Sequence, residues 1–133
     1  MSDDGVSAEE AAWAAELPRL WPSPPMVAGT AVQVPGFFGH FLSIEARLRS
    51  PASAAEVRTL FAAASGLKVL DEPKERVYPM PMLVGAEAAV HVGRVRAVPG
   101  RPDCILFTAA LEGARRTAVA AVDAAESLTG PVH

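Results

Sequence analysis

The fold of this chain is decided by residues 40–48, which read HFLSIEARL. Apolar and polar residues alternate there with a period of two, which is the spacing of side chains on the two faces of a β-strand. One face carries His40, Leu42, Ile44, Ala46 and Leu48, and the other carries Ser43, Glu45, Arg47 and Arg49. The pattern predicts a strand with one face against a core and the other toward water or a partner.

A helix is predicted directly after this strand. Ser53 and Glu56 have the spacing of a capping box, in which each side chain accepts a hydrogen bond from the other residue's backbone N–H. The following residues place Val57, Leu60, Phe61 and Ala64 at helical spacing. Gly66 is expected to end the helix, because glycine adopts the left-handed conformation that follows many helices.

The remaining elements are predicted from the same signals. Ser7 is expected to cap a first helix that carries Glu9 and Glu10 in its first turn and ends near Pro18. Strands are predicted over residues 30–34, 67–70, 89–98 and 105–109, and a final helix over residues 113–128. Pro35 and Gly36 predict a break or bulge, and residues 78–81 a rigid extended segment.

The order of these elements indicates the fold class. Several strands follow one another and do not alternate regularly with helices, which favours an α+β domain with a mostly antiparallel sheet and helices packed on one face. We expect residues 7–128 to form a single domain, residues 1–6 to be a disordered N-terminus and residues 129–133 to be a tail.

Composition excludes several classes of protein. The 133 residues are 50% hydrophobic and 20% charged with a net charge of −3, so the chain is globular and shows no basic patch for nucleic acid. The acidic start lacks the pattern of a signal peptide, and no apolar run is long enough to cross a membrane. We therefore expect a soluble, cytoplasmic protein.

The reactive and charged side chains show no metal-site pattern. Cys104 is the only cysteine and lies in an apolar run, so it is expected to behave as a small buried hydrophobe. The histidines have no metal-ligand spacing, so no metal is assigned, and His91 is expected to be structural or exposed. Arg94 and Arg96 share a strand face, which is either solvated or salt-bridged, or part of an interface.

Five segments, in order along the chain, carry a family resemblance. They are QVPGFFGH at 33–40, GLKVLDEP at 66–73, YPMP at 78–81, VGRVR at 92–96 and Gly113-Ala114. Together they resemble the C-terminal domain, for dimerisation and substrate binding, of the aspartate-semialdehyde dehydrogenase family, standing alone without the NAD(P)-binding domain.

The resemblance implies roles for particular positions. His40 occupies the place of the family's acid/base histidine, and Gln33 replaces the arginine that binds the substrate carboxylate. Glu9 occupies the place of the carboxylate that binds the substrate amine, and Ala12 that of a lysine that contacts substrate or phosphate. Near the nicotinamide cofactor, the family's polar residues are replaced by Thr108, Ala109 and Thr117.

The same resemblance implies that the chemistry is incomplete. The family's reaction needs a nucleophilic cysteine that the histidine activates, and a Rossmann-type domain that holds NADP. Cys104 falls in a late strand, and no Gly-x-Gly-x-x-Gly fingerprint follows a strand. His40 is then either a former catalytic residue held in a core or interface, or a working acid/base.

Two functions follow from these alternatives. The first is a non-catalytic homodimerisation or protein-interaction module, with no cofactor, in which the apolar residues Val119, Val122 and Leu128 of the last helix would lie partly exposed and attract a partner. The second is one subunit of a split NAD(P)-dependent semialdehyde dehydrogenase, in which a Rossmann-domain partner chain supplies NADP and the nucleophile.

Overall fold

The computed structural model describes residues 5–34, 39–85 and 87–129, and the chain divides into two compact units, residues 1–36 and 37–133. In the first unit, helix α1 spans Ala8–Glu16 and continues into a short 3-10 turn over Leu17–Arg19. Ser7 caps α1 as predicted, and Glu10 completes a capping box by accepting the backbone N–H of Ser7 at 2.7 Å.

The strand predicted over residues 30–34 is wrong. These residues have no regular secondary structure. The backbone N–H of Ala31 donates to Oε1 of Glu10, in the first turn of α1, at 2.7 Å. This N–H group is therefore bonded to a helix side chain and not to a neighbouring strand. Alternating valines favour an extended chain, but a strand also requires a partner for its backbone groups. The break predicted at Pro35 and Gly36 lies outside the described residues.

The second unit is a four-stranded sheet with helices. Its elements are β1 (His40–Arg47), α2 (Ala54–Ala63), β2 (Leu67–Val69), β3 (Val90–Val98), β4 (Arg101–Leu111) and α3 (Gly113–Thr129). The strand order is β1-β4-β3-β2, with β1 and β3 antiparallel to β4 and β2 parallel to β3. This arrangement confirms the predicted α+β class with a mostly antiparallel sheet.

Helix α2 covers one face of the sheet and builds the core. Ser53 and Glu56 form the predicted capping box, which fixes where the helix begins. Val57 then packs with Val95 of β3 and Ile105 of β4. Beside them, the rings of Phe61 and Phe107 lie 5.1 Å apart, and Leu60 of the predicted apolar set faces solvent. In the described ranges, no helix has the length and apolar character to cross a bilayer.

Candidate functional site

His40 is the first residue of the edge strand β1, opposite Leu111 at the end of β4. Its side chain is exposed, and the neighbouring Phe41 and Leu42 are exposed too. Of the places expected for His40, its exposure excludes the core and leaves both an interface and the role of a working acid/base. Burial alternates along β1 only from Ile44 onward, where Ile44 and Ala46 are part-buried and their neighbours exposed. The core under β1 therefore lies toward the end of the strand that is distant from His40.

Two glycines shape the position of the His40 ring. A Cβ atom on Gly113 would collide with Nε2 of the imidazole, and with its Cδ2 at 2.6 Å. Gly39 has a φ of +85°, and a Cβ there would lie 3.1 Å from Cβ of Pro81. The imidazole therefore rests directly on the first turn of α3, and the preceding backbone makes a turn that favours glycine.

The N-terminus of α3, beside His40, is closed by the chain's own carboxylate. Glu112 accepts the backbone N–H of Ala114 at 3.2 Å and that of Arg115 at 2.7 Å. Free N–H groups at a helix N-terminus form a natural binding site for a substrate carboxylate or phosphate. Glu112 occupies these donors and adds a negative charge. Glu112 was not among the residues predicted from the sequence, although an acidic residue before a helix start is a known signal.

Cys104 lies far from His40. It pairs with Arg47 at one end of the β1–β4 ladder, whereas His40 pairs with Leu111 at the other end. At about 3.4 Å per strand residue, seven residues separate the two side chains by about 24 Å. Cys104 is also only 1% exposed, which confirms the prediction that it is a small buried hydrophobe. It cannot be the thiol that His40 would activate.

The two threonines at the positions implied for the cofactor are bound to backbone. The buried Thr108 hydroxyl donates to the carbonyl of Gly93 at 3.2 Å. Thr117 donates to the carbonyl of Gly113, one turn earlier in α3, at 2.9 Å. Ala109, which lies in β4 next to Thr108, is buried and apolar. Both threonine hydroxyls thus donate to backbone carbonyls of the chain itself, and Ala109 offers no polar group.

The other implied substrate positions belong to the first unit. Glu9 is exposed in the first turn of α1, where the helix dipole favours a carboxylate without any ligand. Gln33 is exposed in an irregular segment, and Ala12 is half-buried on α1. In the first turn of α1, the carboxylate that accepts hydrogen bonds is that of Glu10 and not that of Glu9. Its pKa is lowered by the hydrogen bond from the backbone of Ser7 and, to a smaller extent, by that from the backbone of Ala31.

His91 is a structural residue. It is 6% exposed in β3, and its Nε2 lies 3.5 Å from Oε2 of Glu87. Glu87 also pairs with Lys68 at 2.5 Å, and this hydrogen bond lowers the pKa of Glu87. The burial of His91 excludes the alternative that this residue is exposed. Over residues 5–34, 39–85 and 87–129, the structure contains no cluster of side chains that could hold a metal ion.

Asp71 is the centre of a cluster of hydrogen bonds in the second unit. Its carboxylate is 2% exposed and accepts the backbone N–H groups of Arg94 at 2.8 Å and Val95 at 3.1 Å. It also accepts Arg58 Nε of α2 at 2.5 Å, while the same guanidinium donates to the carbonyl of Val95 at 2.7 Å. Asp71 thus joins the end of β2, helix α2 and the middle of β3.

This cluster stabilises a bulge in β3. The pairing with β4 shifts register between Gly93 and Arg96, and Arg94 has a φ of +53°, which is rare for a residue with a side chain. The bulge turns the exposed Arg94 over the ring of Tyr78, 5.8 Å from its centroid. The bulge also explains why Val92 and Val95 are both buried. In a regular strand, only residues an even number of positions apart lie on the same face.

The fold and the site together define a helix-backed α+β domain with an exposed histidine at the end of an edge strand. A family model described as the semialdehyde dehydrogenase dimerisation domain matches residues 3–111. The chain belongs to this family, as the five sequence segments predicted.

Individual relatives agree with this assignment. An aspartate-semialdehyde dehydrogenase from Rickettsia bellii is 30% identical over 129 residues, which are 96% of this chain and 38% of the relative. The enzyme of the same name from Mycolicibacterium smegmatis is 40% identical over 78 residues, or 59% of this chain and 21% of the relative. The crystal structure of aspartate semialdehyde dehydrogenase II from Vibrio cholerae superposes with a TM-score of 0.88 and 26% identity, over 100% of this chain and 40% of that one.

The chain thus spans about two fifths or less of the length of these relatives. The likeness covers the fold and the signature segments at 66–73, 78–81 and 92–96, of which the first and last meet at the Asp71 cluster.

Proposed function

We propose that this chain is a non-catalytic homodimerisation module of the semialdehyde dehydrogenase family. The observation that carries the proposal is Glu112, whose carboxylate occupies the N–H donors of α3 directly beside the His40 ring. An anionic substrate approaching His40 would meet a negative charge where the helix end would otherwise attract it.

Further residues support the loss of chemistry. The only thiol of the chain, Cys104, is buried about 24 Å along the ladder from His40. A neutral Gln33 lacks the charged fork with which arginine binds a carboxylate. A histidine without a thiol to deprotonate and without a bound anion has no role in the family's reaction.

The retained structure supports self-association. The matched family model is that of a dimerisation domain, and the sheet of this chain has a packed core and the hydrogen-bonded Asp71 cluster. Light scattering after gel filtration tests the proposal directly. We expect a mass of twice 13.9 kDa at micromolar concentration, and a mass of 13.9 kDa at every concentration would overturn it.

One observation favours a second function, that of a subunit in a split dehydrogenase. The imidazole of His40 is still exposed, and Gly113 still leaves the space that the ring occupies. A partner chain would then supply the Rossmann domain, NADP and the nucleophilic cysteine, and His40 would move the proton. Because Gln33 is neutral, such an enzyme would act on a less anionic aldehyde.

The split-enzyme function requires a neighbouring gene that encodes a Rossmann domain with a reactive cysteine and no C-terminal half. Where such a gene exists, hydride transfer to NADP would be measured with both chains mixed. Activity that His40→Ala abolishes and Ser43→Ala on the same strand preserves would support this second function. Equal background rates for all three mixtures would leave the dimerisation module as the function.

A further inference from the structure

The two edge strands of the sheet differ in length and regularity. Strand β2 is three residues long, whereas β1 spans His40–Arg47 and pairs with β4 along its whole length without a register shift. Within the described residues, no strand pairs with the other side of β1. We call this unpaired side of His40–Arg47 the open edge. The edge of a sheet presents a row of backbone N–H and C=O groups with which another strand can pair.

The open edge lacks the features with which proteins usually prevent edge pairing. Such features are a proline, a bulge or a charged side chain that is free to repel a neighbouring strand. Residues 40–47 contain no proline, and their pairing with β4 contains no bulge. The charges of this strand are bound to β4. Glu45 lies 2.7 Å from Arg101. Arg47 lies 2.9 Å from Asp103.

Apolar side chains flank the open edge on both faces of the sheet, near its His40 end. Phe41 is 49% exposed and Leu42 is 41% exposed. Because successive residues of a strand point to opposite faces, these two side chains stand on either side of the same strand. Side chains directly opposite each other on neighbouring strands lie about 5 Å apart. A strand paired with β1 would therefore place its own side chains against both.

We propose that the open edge binds an extended segment of a different protein, which joins the four-stranded sheet as an additional strand. Backbone hydrogen bonds supply most of the affinity in this mode of binding, and alternate side chains of the segment supply the specificity. Apolar or β-branched residues of the segment would contact Phe41 and Leu42. The inference goes beyond the proposed homodimerisation, because the occupant of the open edge is not a second copy of this chain.

The residues of β1 do not complement themselves. Two copies paired antiparallel over the whole strand would place Leu42 opposite Glu45 and Phe41 opposite Ala46. By two-fold symmetry, each of these contacts would occur twice. An apolar side chain would then face a charged one, and a phenyl ring would face a single methyl group, so neither exposed apolar residue gains a matching partner. A strand of different sequence can place apolar residues opposite Phe41 and Leu42.

Amide hydrogen exchange of the full chain, measured by NMR, tests the proposal with a defined probe. The probe is a synthetic peptide as long as β1, made of alternating threonine and valine. We expect it to slow the exchange of the β1 amides that do not bind β4 by roughly tenfold or more. The amides of β2, at the other edge of the sheet, should not change. The same peptide N-methylated at every residue has no N–H donors and should have no effect.

Substitutions on β1 test the contribution of its side chains. Phe41→Lys and Leu42→Lys each place a free cation beside the open edge, which should weaken binding of the peptide by roughly fivefold. Leu60→Lys is the matched control, because Leu60 is an exposed leucine on α2, and it should leave binding unchanged. Circular dichroism verifies that each variant keeps its fold. The N-methylated peptide needs no variant, so the proposal can be contradicted even where a substitution unfolds the chain.

Three results would overturn the proposal. The first is that the peptide, at millimolar concentration, does not slow the exchange of the β1 amides. The second is an equal effect of the N-methylated peptide, or an equal effect of the peptide on β2, since binding would then not use the backbone of the open edge. The third is slow exchange of these amides in the chain alone that increases with protein concentration, which would assign the open edge to a second copy. Light scattering tests homodimerisation separately, so the two proposals fail independently.

Discussion

The Asp71 cluster and the His40 end of the sheet differ in how completely their polar groups are bonded. At Asp71, a buried carboxylate accepts two backbone N–H groups and a guanidinium, and the guanidinium donates in turn to Val95. At His40, an exposed imidazole rests on a glycine, and the nearby helix end is closed by Glu112. The first region links three elements through one buried carboxylate, whereas the second leaves its imidazole exposed.

The family's signature segments therefore fall into two groups: those that hold the fold together and the one that carries the histidine. The segments at 66–73 and 92–96 meet at Asp71, where the backbone N–H groups of the second segment donate to the carboxylate of the first. These contacts belong to the fold itself. The segment at 33–40 ends in His40, which lies at the opposite end of the β1–β4 ladder from the buried Cys104. Under the proposed function, the segments that build the fold are retained and the segment that ends in His40 no longer serves a reaction.

Replacing Asp71 should have the largest effect on stability. In Asp71→Ala, Arg58 and two N–H groups of the bulge lose their acceptor in a buried place, which should lower the free energy of unfolding by about 3 kcal/mol. Urea denaturation measures this change. Asp123→Ala, at an exposed position on α3, is the matched control and should change stability by less than about 0.5 kcal/mol. An equal effect of both changes would contradict the importance of the cluster.

Two glycine-to-alanine changes compare the regions more sharply. A Cβ on Gly93 would collide with the backbone of Leu70 and with Pro79, neither of which can move freely, so Gly93→Ala should destabilise the domain by about 2–3 kcal/mol. A Cβ on Gly113 would meet only the exposed ring of His40, which can rotate away.

Gly113→Ala should therefore change the unfolding free energy by no more than about 0.5 kcal/mol. The urea midpoints of both variants and of wild type, measured in parallel, test the pair. A Gly113→Ala variant as unstable as Gly93→Ala would mean that the His40 ring is held as firmly as the bulge.

Removing the cap of α2 should have a smaller effect, because it weakens the helix that carries Arg58 but leaves Asp71 in place as the acceptor of Arg58. Ser53→Ala takes away the hydroxyl that accepts the Glu56 N–H at 3.2 Å, and should lower stability by about 1 kcal/mol. Thermal unfolding is a suitable measurement. Ser127→Ala, an exposed serine near the end of α3, is the control and should be neutral.

The smallest expected effect concerns pH. The hydrogen bond from the Ser53 backbone lowers the pKa of Glu56, so its folded-state pKa lies below the unfolded value of about 4.3. Its stabilisation is present above the unfolded pKa and is lost as the pH falls through the folded pKa. Glu56→Gln should show a smaller loss of stability on acidification than wild type. A larger loss in the variant would contradict this sign.

Local signals in the sequence predicted the parts of the fold that depend on a few neighbouring residues. Ser7 and Ser53 were correctly placed at helix starts because a cap and its partners lie within one turn. The strand predicted over residues 30–34 failed because pairing depends on a distant partner that no local pattern reveals. The exposure of His40 was missed for the same reason, since its strand is at the edge of the sheet.

The candidate site was only partly predictable. Its histidine came from a motif, but the role of Glu112 depends on the exact residue at which α3 begins. The bulge at Arg94 had a visible signal, because Val92 and Val95 are three residues apart and cannot share a face in a regular strand. The contribution of Asp71 had no such signal, since it joins three elements that are separated in sequence.

Sedimentation equilibrium of wild type and His40→Ala, with hydride transfer to NADP assayed on the same samples, tests the central claim most directly. The account predicts that both proteins dimerise with the same dissociation constant and that neither reduces NADP above background. Loss of the dimer in His40→Ala, or NADP reduction by wild type that the variant lacks, would contradict it.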